Sequence, residues 1–209
     1  MKYDLSKKPT RGAQRTLYAF SHTAMALLAQ KPFEDINVNE ICNQSNFPRA
    51  TFYNYFDDKY DLVNYVWYLL AKDVGIDDVS ALAKNDDLLL IYFDRLYDLF
   101  EHNSRLLDSI LKHNEANGTL LNSFTRFLRD TIHRVFTDHF GHMKFRIPVE
   151  LMVDQCCSTV MMLLEWIFLK QQPTTKAQAH QYLAILISDP DMVVVPSAAS
   201  PRPDQTAGK

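Results

Sequence analysis

Residues 37–56 read Asn-Val-Asn-Glu-Ile-Cys-Asn-Gln-Ser-Asn-Phe-Pro-Arg-Ala-Thr-Phe-Tyr-Asn-Tyr-Phe, and Asp57, Asp58 and Lys59 follow. This is the order of two short helices joined by a tight turn. Asn37 is placed to cap the first helix, and Glu40 stands three residues on, where a capping box needs it. Val38, Ile41 and Cys42 share one face at helical spacing. Ser45 and Asn46 break the helix, and asparagine is one of the few non-glycine residues that tolerates the left-handed backbone such a turn requires. Phe47 plugs the turn into a core. Pro48 suits the first turn of the next helix, because it has no N–H to satisfy and its φ is preset. Phe52 and Phe56, four apart, then face inward and leave Arg49, Ala50, Thr51, Tyr53, Asn54 and Tyr55 outward. A second helix so loaded with hydrogen-bonding side chains is what a helix-turn-helix needs to enter a DNA major groove.

The segment resembles the N-terminal domain of TetR-type transcriptional regulators. The resemblance rests on Ile36-Asn37-Val38 with Ile41, on Thr51-Phe52-Tyr53-Asn54-Tyr55-Phe56, and on Lys59 with Leu62. Upstream, Phe20, Ala24, Leu27, Leu28 and Phe33 fit the same pattern. It covers residues 10 to 72, about a third of the chain; the C-terminal part is only loosely similar to family members from Gram-positive bacteria. The chain departs from the family at Ser45-Asn46, where Ala-Gly is usual, at Pro48, where Ser is usual, and at Tyr55, where His is frequent. The resemblance implies that Tyr53 and Lys59 hold DNA phosphates. Arg49 and Asn54 are the best base readers, because arginine and asparagine can pair in bidentate fashion with guanine and adenine. Arg11 and Asn39, at helix starts, would position the protein rather than specify sequence. With Pro48, Ala50, Thr51 and Tyr55 they complete the expected DNA-binding set.

Charge agrees once it is divided along the chain. The net formal charge is −3, but residues 1–60 hold eight Lys and Arg against six Asp and Glu. The first sixteen residues hold five cations and one anion. Positive charge is thus gathered where phosphates would lie. Three cysteines, with Cys156 and Cys157 adjacent on one expected helix, suit a reducing cytosol. No signal peptide is visible at Met1-Lys2-Tyr3-Asp4, and the longest apolar run, Val160 to Leu164, is far shorter than a membrane span. A cytoplasmic protein with no membrane partner is expected.

The chain has only five glycines, and strand-rich proteins spend more on turns, which favours an all-α chain. About nine helices are expected: near 10–30, the helix-turn-helix pair, 58–73, 86–101, 104–114, 119–139, 148–171 and 175–187. A three-helix DNA-binding domain would occupy residues 1–72, a dimerisation and effector domain 73–188, and a disordered tail 189–209. The stretch from Gly75 to Asp87 would be the hinge. Thr175 and Gln178 form a capping box for the last helix.

The eighth helix is apolar on two faces. Val149, Val153, Cys156, Val160, Leu163 and Ile167 make one stripe; Met152, Cys157, Met161, Leu164 and Phe168 make another. Such a helix must bury both faces, the second against another layer or another chain. Helix-turn-helix proteins usually read paired half-sites through a two-fold axis. The family resemblance also implies a dimer through the last two helices. Val153, Val160, Leu164, Phe168, Tyr182 and Leu186 are the expected interface.

Tyr92, Tyr97, Phe100, Phe124, Phe127 and Met161 either fill a core or line an effector pocket, with His113, His133 and Glu165 as polar anchors. The two histidines of His139-Phe140-Gly141-His142 are too few for a metal site and read as a loop. No phosphate loop, paired cysteine ligands or nucleophile–base motif is present, so neither enzyme activity nor a cofactor is expected. The chain reads as a regulator that binds a double-stranded DNA operator as a homodimer, a repressor answering to a small-molecule effector. The alternatives are an activator or co-activator on the same fold, or a helical interaction module that has lost DNA binding.

Overall fold

A computed structural model describes residues 9–76, 88–141 and 145–187. The expected tail, most of the hinge, His142 and the basic Lys2, Lys7 and Lys8 lie outside these described residues. Among the described residues there are nine α-helices and no strand. They are α1 (Arg11–Leu28), α2 (Val38–Ser45), α3 (Arg49–Tyr55), α4 (Lys59–Asp73), α5 (Leu88–His102), α6 (Ser104–Leu111), α7 (Thr119–Phe140), α8 (Val149–Leu164) and α9 (Lys176–Ile187).

Helix boundaries follow the caps. Thr10 accepts the Ala13 amide through its side chain and starts α1. Asp58 accepts the amides of Tyr60 and Asp61, both at 2.9 Å, and starts α4. Gly75, at φ 65°, ends α4: its N–H reaches the Lys72 carbonyl and the Ile76 N–H that of Ala71. This paired closure needs a left-handed residue. Thr175 and Gln178 make both halves of the capping box before α9, at 3.0 and 3.3 Å.

The expected stripe of α1 is buried as Leu17, Phe20, Ala24, Leu27 and Leu28. Helix α4 buries more than one stripe: besides Leu62 and Val66 it hides Val63, Tyr65, Trp67 and Ala71. It lies between the N-terminal helices and the helical body. The Trp67 ring meets Phe124 of α7 at 4.7 Å, and its indole N–H donates to Ser123 Oγ at 3.0 Å. The buried residues form one cluster from Leu17 to Leu183, so no break in the core marks residue 72.

Two short segments escape sequence reading. Phe33–Asp35 is a single 3₁₀ turn between α1 and α2. Glu165–Leu169 continues α8 as a π-helical turn, and together they make a stretch, Val149–Leu169, whose length and mean hydropathy of 1.4 would suit a membrane span. Counting unbroken apolar runs misses this. The stretch is a core helix instead, packed against α7 and α9, with 56% of its most apolar window buried within the protein.

Candidate nucleic-acid interface

The Asn37 side chain accepts the Glu40 amide at 3.0 Å, so the cap of α2 forms. The reciprocal half of the capping box is replaced, because the Glu40 carboxylate pairs with Lys31. At the other end Asn46 is left-handed (φ 59°, ψ 39°). Its N–H bonds the Asn43 carbonyl and the Phe47 N–H that of Cys42. A turn that bonds both orphan carbonyls needs no Ala-Gly pair, which explains how Ser45-Asn46 serves here. Pro48 stands just before α3 in extended conformation (φ −67°, ψ 152°), as its N-cap rather than inside its first turn.

An aromatic cluster holds α3 in place. Phe52 and Phe56 are fully buried, and the ring of Phe20 in α1 meets them edge-on at 5.3 and 6.2 Å, with Phe47 at 5.5 Å. Arg49, Ala50, Tyr53 and Asn54 are consequently exposed along α3. Arg49 Nη2 donates to the Tyr53 hydroxyl at 3.2 Å, with its guanidinium 5.7 Å from the centre of that ring. The two side chains thus form one outward unit. Arg11 and Asn39 are exposed at the starts of α1 and α2.

Three of the expected DNA residues are placed otherwise. Thr51 is half-buried, and Tyr55 is half-buried and packs against the core, because the short helix must turn part of that face to its support. Lys59 is turned inward. Its Nζ donates to the carbonyls of Phe33 (2.8 Å), Glu34 (3.0 Å) and Ile36 (2.8 Å), and it lies 4.5 Å from the centre of the Phe33 ring. An ammonium has three N–H donors, and all three are used. Burial pulls its pKa below the ordinary lysine value, opposed by the charges of Glu34 and Asp35. In the structure without DNA, Lys59 therefore clamps the 33–36 turn.

Among the described residues, the expected effector residues are spread over several places. A partly open apolar cavity of about 30 Å³ lies where α4, α5, α6 and α7 meet, lined by Trp67, Leu70, Leu99, Phe100, Asn103, Leu106, Leu107, Ile110, Leu121 and Phe124. Of the expected set it takes only Phe100 and Phe124. Tyr92 and Met161 are solid core, and Phe127 is a half-buried flank. The Tyr97 hydroxyl donates to the Thr174 carbonyl at 3.0 Å. His113 is exposed beside Glu34, Glu115 and Thr119; His133 is exposed and 3.4 Å from Asp154. Glu165 is half-buried on the outer side of α8. Sequence reading missed Trp67 and Asn103, which nothing in helical spacing sets apart from neighbouring core positions. No group of His, Cys, Asp and Glu suited to a metal occurs among the described residues.

The residues expected at a dimer interface fall into two groups. Val153, Val160 and Leu164 are buried within the protein, and Phe168 stacks on Phe100 at 4.9 Å. Tyr182 and Leu186, also expected there, are exposed on α9 beside Ile185, and the exposed apolar positions on the α8 stretch are Leu151, Met162 and Trp166. All of these exposed residues but Leu151 line a groove of about 710 Å³ with Arg129, Ser158, Leu163, Glu165 and Lys170. Both α8 stripes named from sequence belong to the protein's own core, and the free face is a third.

Comparison with known proteins matches this geometry. The family model described as bacterial regulatory proteins, tetR family, matches residues 22–66, which contain the whole helix-turn-helix. The HTH-type transcriptional regulator AcrR of Shigella flexneri is 23% identical over 206 residues, covering 88% of this chain and 93% of that protein. A TetR-family regulator from Streptomyces coelicolor superposes with a TM-score of 0.58 at 14% identity, over 86% of this chain and 97% of that one. The transcriptional regulator FadR of Bacillus subtilis, solved in complex with stearoyl-CoA, superposes with a TM-score of 0.55 at 17% identity, over 81% and 97%. Such distant structures establish the fold, and the matched segment places the family likeness in the helix-turn-helix region. In residues 22–66 the chain is thus similar to tetR-family bacterial regulatory proteins, and over most of its length it shares the fold of TetR-type regulators.

Proposed function

We propose that this regulator is a cytoplasmic homodimeric repressor that reads paired half-sites in double-stranded DNA and releases them in response to a small apolar effector. The observation that carries the reading is α3. The Phe20–Phe52–Phe56 cluster fixes it on two turns, and Arg49, Ala50, Tyr53 and Asn54 are left exposed along it. In this reading residues 1–72 form the DNA-binding unit. Arg49 and Asn54 contact base edges, Arg11, Asn39 and Tyr53 contact the backbone, and Pro48, Ala50 and Thr51 shape the approach. Tyr55 contributes from the rim.

A second copy supplies the two-fold. Met162, Trp166, Tyr182, Ile185 and Leu186 form an exposed apolar patch on α8 and α9, of the kind that marks an interaction surface. Pairing these helices across a two-fold axis buries the patch and presents two recognition helices. Half-sites one helical turn apart would then require a separation of about 34–36 Å. Residues 73–188 would serve as the dimerisation and effector unit.

The apolar lining of the cavity between α4 and α7 supports an apolar effector. At about 30 Å³ the cavity is far smaller than the roughly 300–1,000 Å³ of an occupied ligand site. An effector would have to displace Phe100, which is stacked on Phe168 of the α8 stretch. Displacement would therefore strain the helix that carries the dimer face. This is a differential cost between two states, and a ligand needs one to shift their populations.

Recovering bound fragments from a sheared bacterial genome, followed by sedimentation with the recovered DNA, tests the reading. One recurrent two-fold symmetric site, bound by two chains, is the expected result. Binding by a single chain, or recovery of fragments without a shared site, overturns it.

A further inference from the structure

We infer that Asn114, in the helical body, is a positioning residue for the DNA-reading helices, and that it acts through the Phe33 peptide group. The inference rests on the DNA reading above and names how the site is held. The 3₁₀ turn at Phe33–Asp35 connects α1 to α2, so its position sets where the helix-turn-helix begins. A single turn of this kind holds itself weakly. Here it is held from two sides. Lys59 takes its carbonyls, as described above. On the other side the Phe33 N–H donates to Asn114 Oδ1 at 2.8 Å in a buried bond between residues 81 apart in sequence.

Asn114 is itself buried, and its Nδ2 donates to the Ile110 carbonyl at 3.0 Å. Both ends of the side-chain amide are thus committed. Rotating it by half a turn would set donor against donor at Phe33 and acceptor against acceptor at Ile110, so the network admits one orientation. Phe33 is 2% exposed, and its amide has no water to turn to if the acceptor is lost. The same Ile110 that anchors Asn114 lines the apolar cavity. A shift of α6 about that cavity therefore moves the acceptor that fixes the turn. The link is a directed hydrogen bond rather than a packed surface, so it sets an angle as well as a distance.

The test uses the full chain carrying Asn114→Leu or Asn114→Asp, with the recovered operator and a non-operator duplex of equal length. Asn114→Leu removes the acceptor and strands the Phe33 amide. It should weaken operator binding by about tenfold, the size of one unsatisfied buried amide, and change non-operator affinity less than about twofold. Each recognition helix and its charge remain intact in that variant, while their relative placement does not. Asn114→Asp, measured at an acidic pH where its carboxyl is protonated, keeps an acceptor for the Phe33 amide and a donor for the Ile110 carbonyl, and should recover at least half of the lost affinity on a logarithmic scale. Equal losses on both duplexes, no loss in a folded Asn114→Leu protein, or no advantage of Asp over Leu would each overturn the inference. Hydrogen exchange of the Phe33 amide in the unaltered protein decides the matter even if the variants fail to fold. Protection like that of a helix interior supports the bond, and exchange as fast as an open turn rules it out. If the unaltered protein selects no DNA at all, the DNA reading falls and takes this inference with it. Normal selection by the unaltered protein and Asn114→Leu alike removes this inference alone.

Discussion

Lys59 Nζ donates to the Phe33 carbonyl oxygen at 2.8 Å while lying 4.5 Å from the centre of the same residue's ring. One cation thus binds both the backbone and the side chain of a single buried residue. Lys59 is also the first residue of α4, where the helix dipole disfavours a positive charge. The carbonyls of the 33–36 turn supply the negative potential that offsets this. The ammonium ties α4 to the segment leading into α2, and its charge is engaged before any DNA arrives.

Replacing Lys59 by Met should therefore act on stability first. Two partly buried carbonyls, of Phe33 and Ile36, and the exposed Glu34 carbonyl lose a charged donor, at a cost of about 1–3 kcal/mol. Urea unfolding of the two proteins measures it. The salt dependence of DNA binding should change by well under one phosphate contact, whereas a lost contact would lower the log–log slope by about 0.9. A slope change of that size at unchanged stability would return Lys59 to the phosphate role that the family resemblance implies.

Arg49 and Asn54 carry the opposite expectation. Each is exposed on α3, and neither supports the core. Arg49→Ala or Asn54→Ala should leave thermal unfolding nearly unchanged. Each should cost about 1–3 kcal/mol in operator binding and relax preference at one base pair per half-site. Binding to a set of single-base operator variants checks this. A uniform loss across all sequences would make them backbone contacts.

The helix-turn-helix was legible because its signals are local. A cap at Asn37, a left-handed residue at Asn46 and a four-residue aromatic spacing each act within one turn of chain. The same holds for Thr175 and Gln178. The burden on Lys59 was not legible, since its partners lie more than twenty residues away in a turn with no periodic signature. Asn114 was silent for the same reason: its partner is 81 residues distant. On α8 the difficulty differs. A helix apolar nearly all round offers several stripes, and the sequence does not say which stripe meets its own core. The π-helical turn at Glu165–Leu169 adds a shift in register at the end that carries Trp166.

That register makes a sharp contrast between two aspartates. Ile185 is 72% exposed and Val160 is fully buried. Ile185→Asp should split the proposed dimer and leave the helices intact, as sedimentation and circular dichroism together would show. Val160→Asp should instead unfold the chain, because an unpaired buried charge costs several kcal/mol. Dimer dissociation by Val160→Asp with the fold preserved would restore the stripe read from sequence.

The two adjacent thiols yield a prediction in pH. Cys156 and Cys157 are each 2% exposed. Burial pushes the Cys156 pKa up to about 11. It pushes that of Cys157 up to about 12, with the charges of Cys156 and Asp154 adding to the effect and Arg129 opposing it. The unfolded chain releases these protons near the ordinary thiol value, from about pH 8.5 upward. Between that pH and the folded values the native state binds more protons than the unfolded state, so stability falls as pH rises. The contribution is fully present below about pH 8.5. It is lost progressively as pH climbs through the folded values of about 11 and 12. Urea midpoints should accordingly be flat in this respect up to the ordinary thiol value and drop above it. A Cys156→Ala, Cys157→Ala double variant should show a shallower alkaline decline from a lower starting stability, the latter because each truncation leaves a small void. At neutral pH both thiols remain protonated, and alkylating reagents should label them only after unfolding. Rapid labelling of the native protein at neutral pH would mean that α8 opens far more readily than its packing implies.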